Sequence, residues 1–156
     1  MASSAQEQNK EIVHECVKAW DRHDTERMEQ LVSSSNYSFQ SPVMPPINWN
    51  ATKQFLTAFW SAFPDLTHKI EDIMADGDKV AVRVINTGTH KGEFLGMAPT
   101  YKKVSFIGVG FLTIRDGKIV EQWSVNDTMG LMQQIGAIPS APSSSSDSSG
   151  NTPPRS

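Results

Sequence analysis

Val104-Ser-Phe-Ile-Gly-Val-Gly-Phe-Leu-Thr-Ile-Arg-Asp-Gly-Lys-Ile-Val-Glu-Gln-Trp-Ser-Val-Asn-Asp127 decides how this chain is read. Two β-rich runs flank Asp116-Gly117, and Asp-Gly between such runs predicts a hairpin, because a type I′ turn needs φ > 0 at both central residues. Along the second run a period of two puts Ile119, Glu121, Trp123, Val125 and Asp127 on one face. A carboxylate ending a row that holds Trp123 and Val125 is expected in apolar surroundings, which makes Asp127 the candidate catalytic residue. A second reading is as direct. Asp immediately before Thr128-Met-Gly-Leu-Met can accept from the N–H groups of a first helical turn, a contact worth about 1 kcal/mol. Both readings stand on the sequence.

Upstream of this hairpin, residues 66–74 alternate loosely, Asp76-Gly77-Asp78 reads as a turn, and 79–90 as a long strand. On that strand Val80, Val82, Val84 and Asn86 share one face, and Ala81, Arg83, Ile85 and Thr87 the other. Arg83 is either a partner for a buried carboxylate or a solvated strand residue. The loop 91–103 is long for a hairpin and carries Phe94, Leu95, Met97 and Tyr101 beside Gly92, Gly96 and Pro99, a composition suited to a lid or a pocket mouth. Downstream, a short helix starts near Thr128 with Leu131, Met132 and Ile135 inward, closed by Gly136 and Pro139.

The N-terminal third is helical. Ile12, Cys16 and Trp20 form one row of a helix over 6–22, with Val13 and Val17 the next. Asp24 caps a short second helix that turns Met28, Leu31 and Val32 inward. Tyr37-Ser-Phe39 is a short strand, and Pro42, Pro45 and Pro46 predict an irregular loop after it. Asn50 is the expected cap of a third helix over 51–62, whose stripe of Phe55, Leu56, Phe59, Trp60 and Phe63 needs a large partner, most simply a sheet. Helices grouped before a run of strands give an α+β domain, with the sheet curled around the third helix into a cone.

Composition narrows the classes. At 156 residues with net charge −3 and pI near 5.8, the chain has the size of one domain and no basic footprint for nucleic acid. No apolar run nears the ~20 residues that span a bilayer. The N-terminus lacks the basic and apolar regions of a secretory signal, and the single cysteine, Cys16, fits a reducing compartment, so a cytoplasmic location is expected. Residues 1–5 read as a flexible N-terminus, 6–139 as the domain, and 140–156, without a large apolar side chain, as a disordered Ser/Pro-rich tail. The histidines 14, 23, 68 and 90 show no ligand spacing, and Gly108-Val-Gly110 lies inside a strand with no helix after it. Neither metal nor nucleotide cofactor is expected.

Several short motifs then follow in order: Phe63-Pro-Asp65, Gly77-Asp78-Lys-Val-Ala-Val-Arg83, Gly88-Thr-His90, Gly92-Glu-Phe-Leu-Gly96, Pro99-Thr100, Asp116-Gly-Lys-Ile-Val-Glu-Gln-Trp123, Asp127, Gly130-Leu131 and Gln134-Ile-Gly136. Together the set resembles the SnoaL-like polyketide cyclase (ester cyclase) family within the NTF2-like superfamily, over roughly residues 8–139. The resemblance implies an NTF2-like cone, with a curved, mostly antiparallel sheet wrapped around N-terminal helices. It also implies a homodimer through the outer sheet face and no cofactor. In the family's characterised cyclases an aspartate near the end of the last long strand is general acid/base in an intramolecular aldol ring closure, a role that maps by motif onto Asp127. Those enzymes place polar partners, including a histidine, on the preceding strand. Here 106–114 holds Thr113 as its only polar residue and no histidine. The related epoxide hydrolases carry Arg-x-Asp where this chain has Arg83-Val-Ile85.

The expected function is thus a cofactor-free cyclase or isomerase of a small apolar, polyketide-like carbonyl compound, with Asp127 moving a proton. The expected ligand contacts are His90, Trp123, Tyr101, Arg83, Phe59 and Met97. The alternative is a non-catalytic module that uses the same hollow to bind a hydrophobic molecule or to dimerise.

Overall fold

Capping decides where the first helix begins. The Ser3 hydroxyl accepts from the Gln6 N–H and the Gln6 side chain accepts from the Ser3 N–H, a reciprocal box that launches α1 (Ser4–Asp21). The helix therefore starts inside the stretch read as flexible. The structure is a computed structural model and describes residues 3–139; the 140–156 tail lies outside the described residues. Asp24 accepts from the Arg27 N–H and starts α2 (Thr25–Leu31).

β1 (Ser38–Ser41) and β2 (Met44–Ile47) follow, and β2 corrects the sequence reading. Pro45 and Pro46 lie within a strand. They are tolerated because β2 is the edge of the sheet, where a residue without an N–H costs no ladder bond. α3 (Trp49–Ala62) begins earlier than expected, because Asn48 rather than Asn50 is its cap and accepts from the Ala51 N–H at 3.0 Å. The remaining elements are β3 (Thr67–Asp76), β4 (Lys79–Thr89), β5 (Lys103–Arg115), β6 (Lys118–Asn126) and α4 (Thr128–Gln134).

The strands form one curved, unclosed six-stranded sheet in the order β2-β1-β6-β5-β4-β3. All neighbours are antiparallel except β1 and β6, which makes the sheet mixed. Asp116 and Gly117 both have positive φ, 51° and 72°, as the type I′ hairpin requires. The inner face of β4 is Val80, Val82, Val84 and Asn86, all buried. The three valines pack with Val13, Trp49, Leu56, Leu112 and Ile119 in the main core. A second cluster lies under the 91–103 loop and joins Phe63, Leu66, Phe106, Leu131 and Ile135. Full burial of one such side chain is worth about 1.5–3 kcal/mol.

One irregularity determines the site. Ile114 pairs with Ile119 and Thr113 with Glu121, so Val120 of β6 has no partner on β5. The extra residue reverses which parity faces inward. Ile119 is buried, but beyond the bulge Gln122, Ser124 and Asn126 face inward. Trp123 and Val125, read as continuing the Ile119 row, face out with Phe111.

Candidate functional site

A cavity of about 90 Å³ lies between the inner face of the sheet and the helices α1 and α3. Its walls are mostly apolar: Val13 and Val17 of α1, Phe55 and Phe59 of α3, Val82 and Val84 of β4, and Leu112 of β5. Two glycines of β5 make the room. A Cβ on Gly108 would stand 2.5 Å from Asn126 Oδ1 and 3.1 Å from Asn86 Nδ2, so both amides occupy space that a side chain here would fill. Gly110 gives Ser124 the same freedom, its missing Cβ falling 3.3 Å from Ser124 Oγ.

Polar groups enter this apolar hollow from three strands and one helix. His68 of β3 lies directly across from Asn86 of β4, and both line the cavity. Asn86 is 2% exposed, and its Oδ1 has no hydrogen-bond partner among the described residues. Trp20 of α1, also in the wall, has its indole N–H buried without a partner. From β6, Gln122 accepts at Oε1 from the Tyr37 hydroxyl (3.2 Å) and donates from Nε2 to Ser124 Oγ (3.1 Å). Ser124 accepts in that bond, so its own O–H remains available to donate into the cavity. Asn126, exposed, marks the rim.

Titration reinforces this polarity. Burial pushes the Cys16 thiol in the wall up to about 12, which keeps it protonated and non-nucleophilic. Burial, with Cys16 adding to it, likewise raises the Tyr37 hydroxyl, so at neutral pH Tyr37 is a donor only toward Gln122. The imidazole of His68 sits against the Asp21 carboxylate, Nδ1 to Oδ1 at 2.6 Å, and the His68 backbone N–H donates to Asp21 Oδ2 at 3.2 Å. Among the described residues no group of three or more His, Cys, Asp or Glu side chains could hold a metal ion.

The residues expected from sequence are scattered. Asp127 is exposed and outside the cavity wall; its carboxylate caps α4, accepting from the Gly130 N–H at 2.9 Å. The physical reason is the bulge at Val120, which turns the odd-numbered positions after it away from the hollow. Trp123 packs against Phe111 on the outer face, ring centroids 5.9 Å apart. Arg83 is also on the outer face, where its Nε donates to Asp72 at 2.7 Å.

His90 is fully buried but holds the loop rather than the cavity: Nδ1 accepts from the Thr100 N–H at 3.2 Å, and the ring lies 5.5 Å from Phe63. Tyr101 is 69% exposed and outside the wall. Met97 packs into the second cluster. Of the six expected ligand contacts only Phe59 lines the cavity. The 91–103 loop reaches it indirectly, through Phe94 wedged against Phe59 and Phe63 at 5.6 and 5.2 Å. Gly92 is what lets the loop lie down there, since a Cβ would stand 2.1 Å from the Ser61 carbonyl oxygen.

Sequence reasoning put Asn86 on one face with three valines but gave it no role, and it missed Asp21, His68, Gln122, Ser124 and Asn126. For Asn86 the signal was present: one amide in a row of three valines. For the β6 residues it was hidden by the bulge, and the Asp21–His68 contact joins residues 47 apart in sequence.

Comparison with known proteins agrees with this architecture. No curated protein matches the sequence. Among solved structures, AclR of Streptomyces galilaeus, described as a candidate hydroxylase, is 33% identical with a TM-score of 0.82, covering 88% of this chain and 87% of its own. IdmH of Streptomyces antibioticus, a candidate polyketide cyclase, is 27% identical with a TM-score of 0.76, over 83% of this chain and 99% of its own. A candidate polyketide cyclase of Bacillus cereus is 30% identical with a TM-score of 0.69, over 84% and 82%. The family description "SnoaL-like polyketide cyclase" matches residues 10–135, and the chain belongs to that family.

Proposed function

We propose that the protein is a cofactor-independent cyclase or isomerase acting in the cytoplasm on a small, mainly apolar carbonyl compound of polyketide type. The observation that carries this reading is the pair of unpartnered buried groups in the cavity wall, Asn86 Oδ1 and the Trp20 indole N–H. Each buried group left without a partner costs about 1–3 kcal/mol, which a ligand with the complementary atoms recovers. One group accepts and the other donates, so the best ligand offers a carbonyl oxygen together with an enol or hydroxyl proton. A β-dicarbonyl unit does both. Apolar walls hold the rest of such a molecule and exclude water from its reacting carbons.

A binding-only module is the second reading. It is favoured by the placement of Asp127 as a cap, which removes the expected proton carrier from the hollow. Heptane-2,6-dione, a 1,5-diketone that closes to a six-membered aldol, separates the two. The enzyme reading expects calorimetric binding, weakened by about 0.5–1.5 kcal/mol in Trp20→Phe, which removes the N–H that donates to a carbonyl, together with accelerated ring closure. Binding without ring closure leaves the module; neither binding nor closure overturns both readings.

The proposal includes a homodimer. Ile107, Phe111 and Val125 are 45%, 47% and 39% exposed on the outer face of the sheet, with Trp123 among them. A second copy packed on that face would cover an apolar surface that a monomer leaves in water.

A further inference from the structure

We infer that His68, held by Asp21, is the general base of the cavity, removing a proton from the carbon next to a bound carbonyl. The inference rests on the carbonyl-binding reading above and adds the residue that does the chemistry. His68 lines the cavity and Asp21 does not. The Asp21 carboxylate lies 2.6 Å from Nδ1, so Nδ1 carries the ring proton and donates it to the carboxylate, which leaves Nε2 with its lone pair. Among the described residues the ring's one hydrogen bond is that of Nδ1 to Asp21. A histidine in the wall of an apolar hollow, its ring held by an orienting carboxylate, supplies the parts a proton abstraction needs.

Asp21 is badly placed for helix stability alone. It is the last residue of α1, at the end of the helix where the backbone dipole disfavours negative charge. Both of its oxygens turn to His68, one to the ring and one to the backbone N–H, which locks the side chain and the strand together. A local rule broken behind a cavity wall, and compensated by the one histidine that lines it, marks function more than packing. The neighbours complete the set. Asn86 is the cross-strand partner of His68, and Trp20 packs against its ring at 4.8 Å.

The step balances within the site. The Nε2 lone pair takes the α-proton, the C–H electron pair becomes the C=C bond of an enolate, and the carbonyl π pair moves onto oxygen. The Trp20 N–H and Ser124 O–H are the available donors to that oxygen, and the Asp21 carboxylate balances the imidazolium formed. In ring closure the enolate carbon then attacks the second carbonyl, and the imidazolium returns its proton to the new alkoxide. His68 is the catalytic residue; Asp21 is a positioning residue acting through it.

The test is hydrogen–deuterium exchange at the α-carbons of heptane-2,6-dione in D₂O, with binding followed in parallel H₂O samples by the amide and indole shifts of the cavity wall. His68→Gln is expected to lose about 10²–10⁴-fold in exchange rate while binding changes only a few-fold. Asp21→Asn is expected to fall between. In ¹⁵N spectra of the unaltered protein His68 should show its proton on Nδ1, and Asp21→Asn should mix the two tautomers. A dione that binds and exchanges as fast in His68→Gln as in the unaltered protein, or an Nε2–H tautomer in the unaltered protein, overturns the dyad and leaves the cavity reading intact. A dione that does not bind overturns the cavity reading and the dyad with it.

Discussion

Gln122, Ser124 and Asn126 alternate along β6 with Trp123, Val125 and Asp127, and the two sets have opposite fates. The first enters a hollow with its hydrogen-bonding capacity partly spent on Tyr37 and partly free. The second meets solvent, Phe111 and the first turn of α4. Nothing in their chemistry separates them in advance, since each set holds groups that work in either setting. The difference comes from Val120, the residue without a partner on β5, which shifts every later side chain by one face. A strand's parity is thus a tertiary property, and a single extra residue can move a whole row of cavity-lining side chains.

Filling the inner side should have the largest effect. Gly108→Leu drives a side chain between Asn86 and Asn126, and calorimetry should detect no dione binding, whereas Trp123→Ala on the opposite face should leave binding unchanged. Equal losses in both would mean the two faces are not distinct in function. Next, Phe111→Glu places a charge in the exposed apolar face and should convert a sedimenting dimer to monomer, with the cavity still binding. A protein that already sediments as a monomer removes the homodimer from the proposal.

Cys16 supplies a smaller contrast. Its thiol is raised in the folded chain from the ordinary 9.0 to about 12, so the unfolded chain loses its proton first. The stability tied to the protonated thiol is complete below about pH 9 and declines by about 1.4 kcal/mol per pH unit as pH rises toward 12. Cys16→Ala should remove that slope from denaturant midpoints measured across the range. The smallest effect falls on Asp127. As a cap it should cost about 1 kcal/mol in Asp127→Ala and only a few tenths in Asp127→Asn, with ring closure unchanged in both. A hundredfold loss of turnover in Asp127→Asn would return that carboxylate to the mechanism.

Much of the fold was legible because it rests on local chemistry. Asp116-Gly117 announces its hairpin, Asp24 caps α2, and the phenylalanine stripe of α3 requires a sheet to cover it. Two local errors have equally local causes. Pro45 and Pro46 fit a strand once that strand is an edge, and Asn48 outcompetes Asn50 as a cap because α3 begins with the buried Trp49. The site was less legible. His90 and Tyr101 looked functional because they stand in a motif-rich loop, yet the motif serves the loop's own hydrogen bonds to Thr100 and Lys102. Asp21 and His68 looked ordinary because only the packing of α1 on β3 brings them together. Pattern reading finds elements; it does not find the bulge that re-aims one of them.

Chemical shifts during a titration with heptane-2,6-dione test the division between the two faces most directly. The side-chain amides of Asn86 and Asn126 and the indole N–H of Trp20 should move together and saturate, while the backbone amides of Val125, Asp127 and Gly130 stay fixed. Shifts confined to Asp127, Gly130 and the outer residues of β6, with the Asn86 and Trp20 signals still, would contradict it.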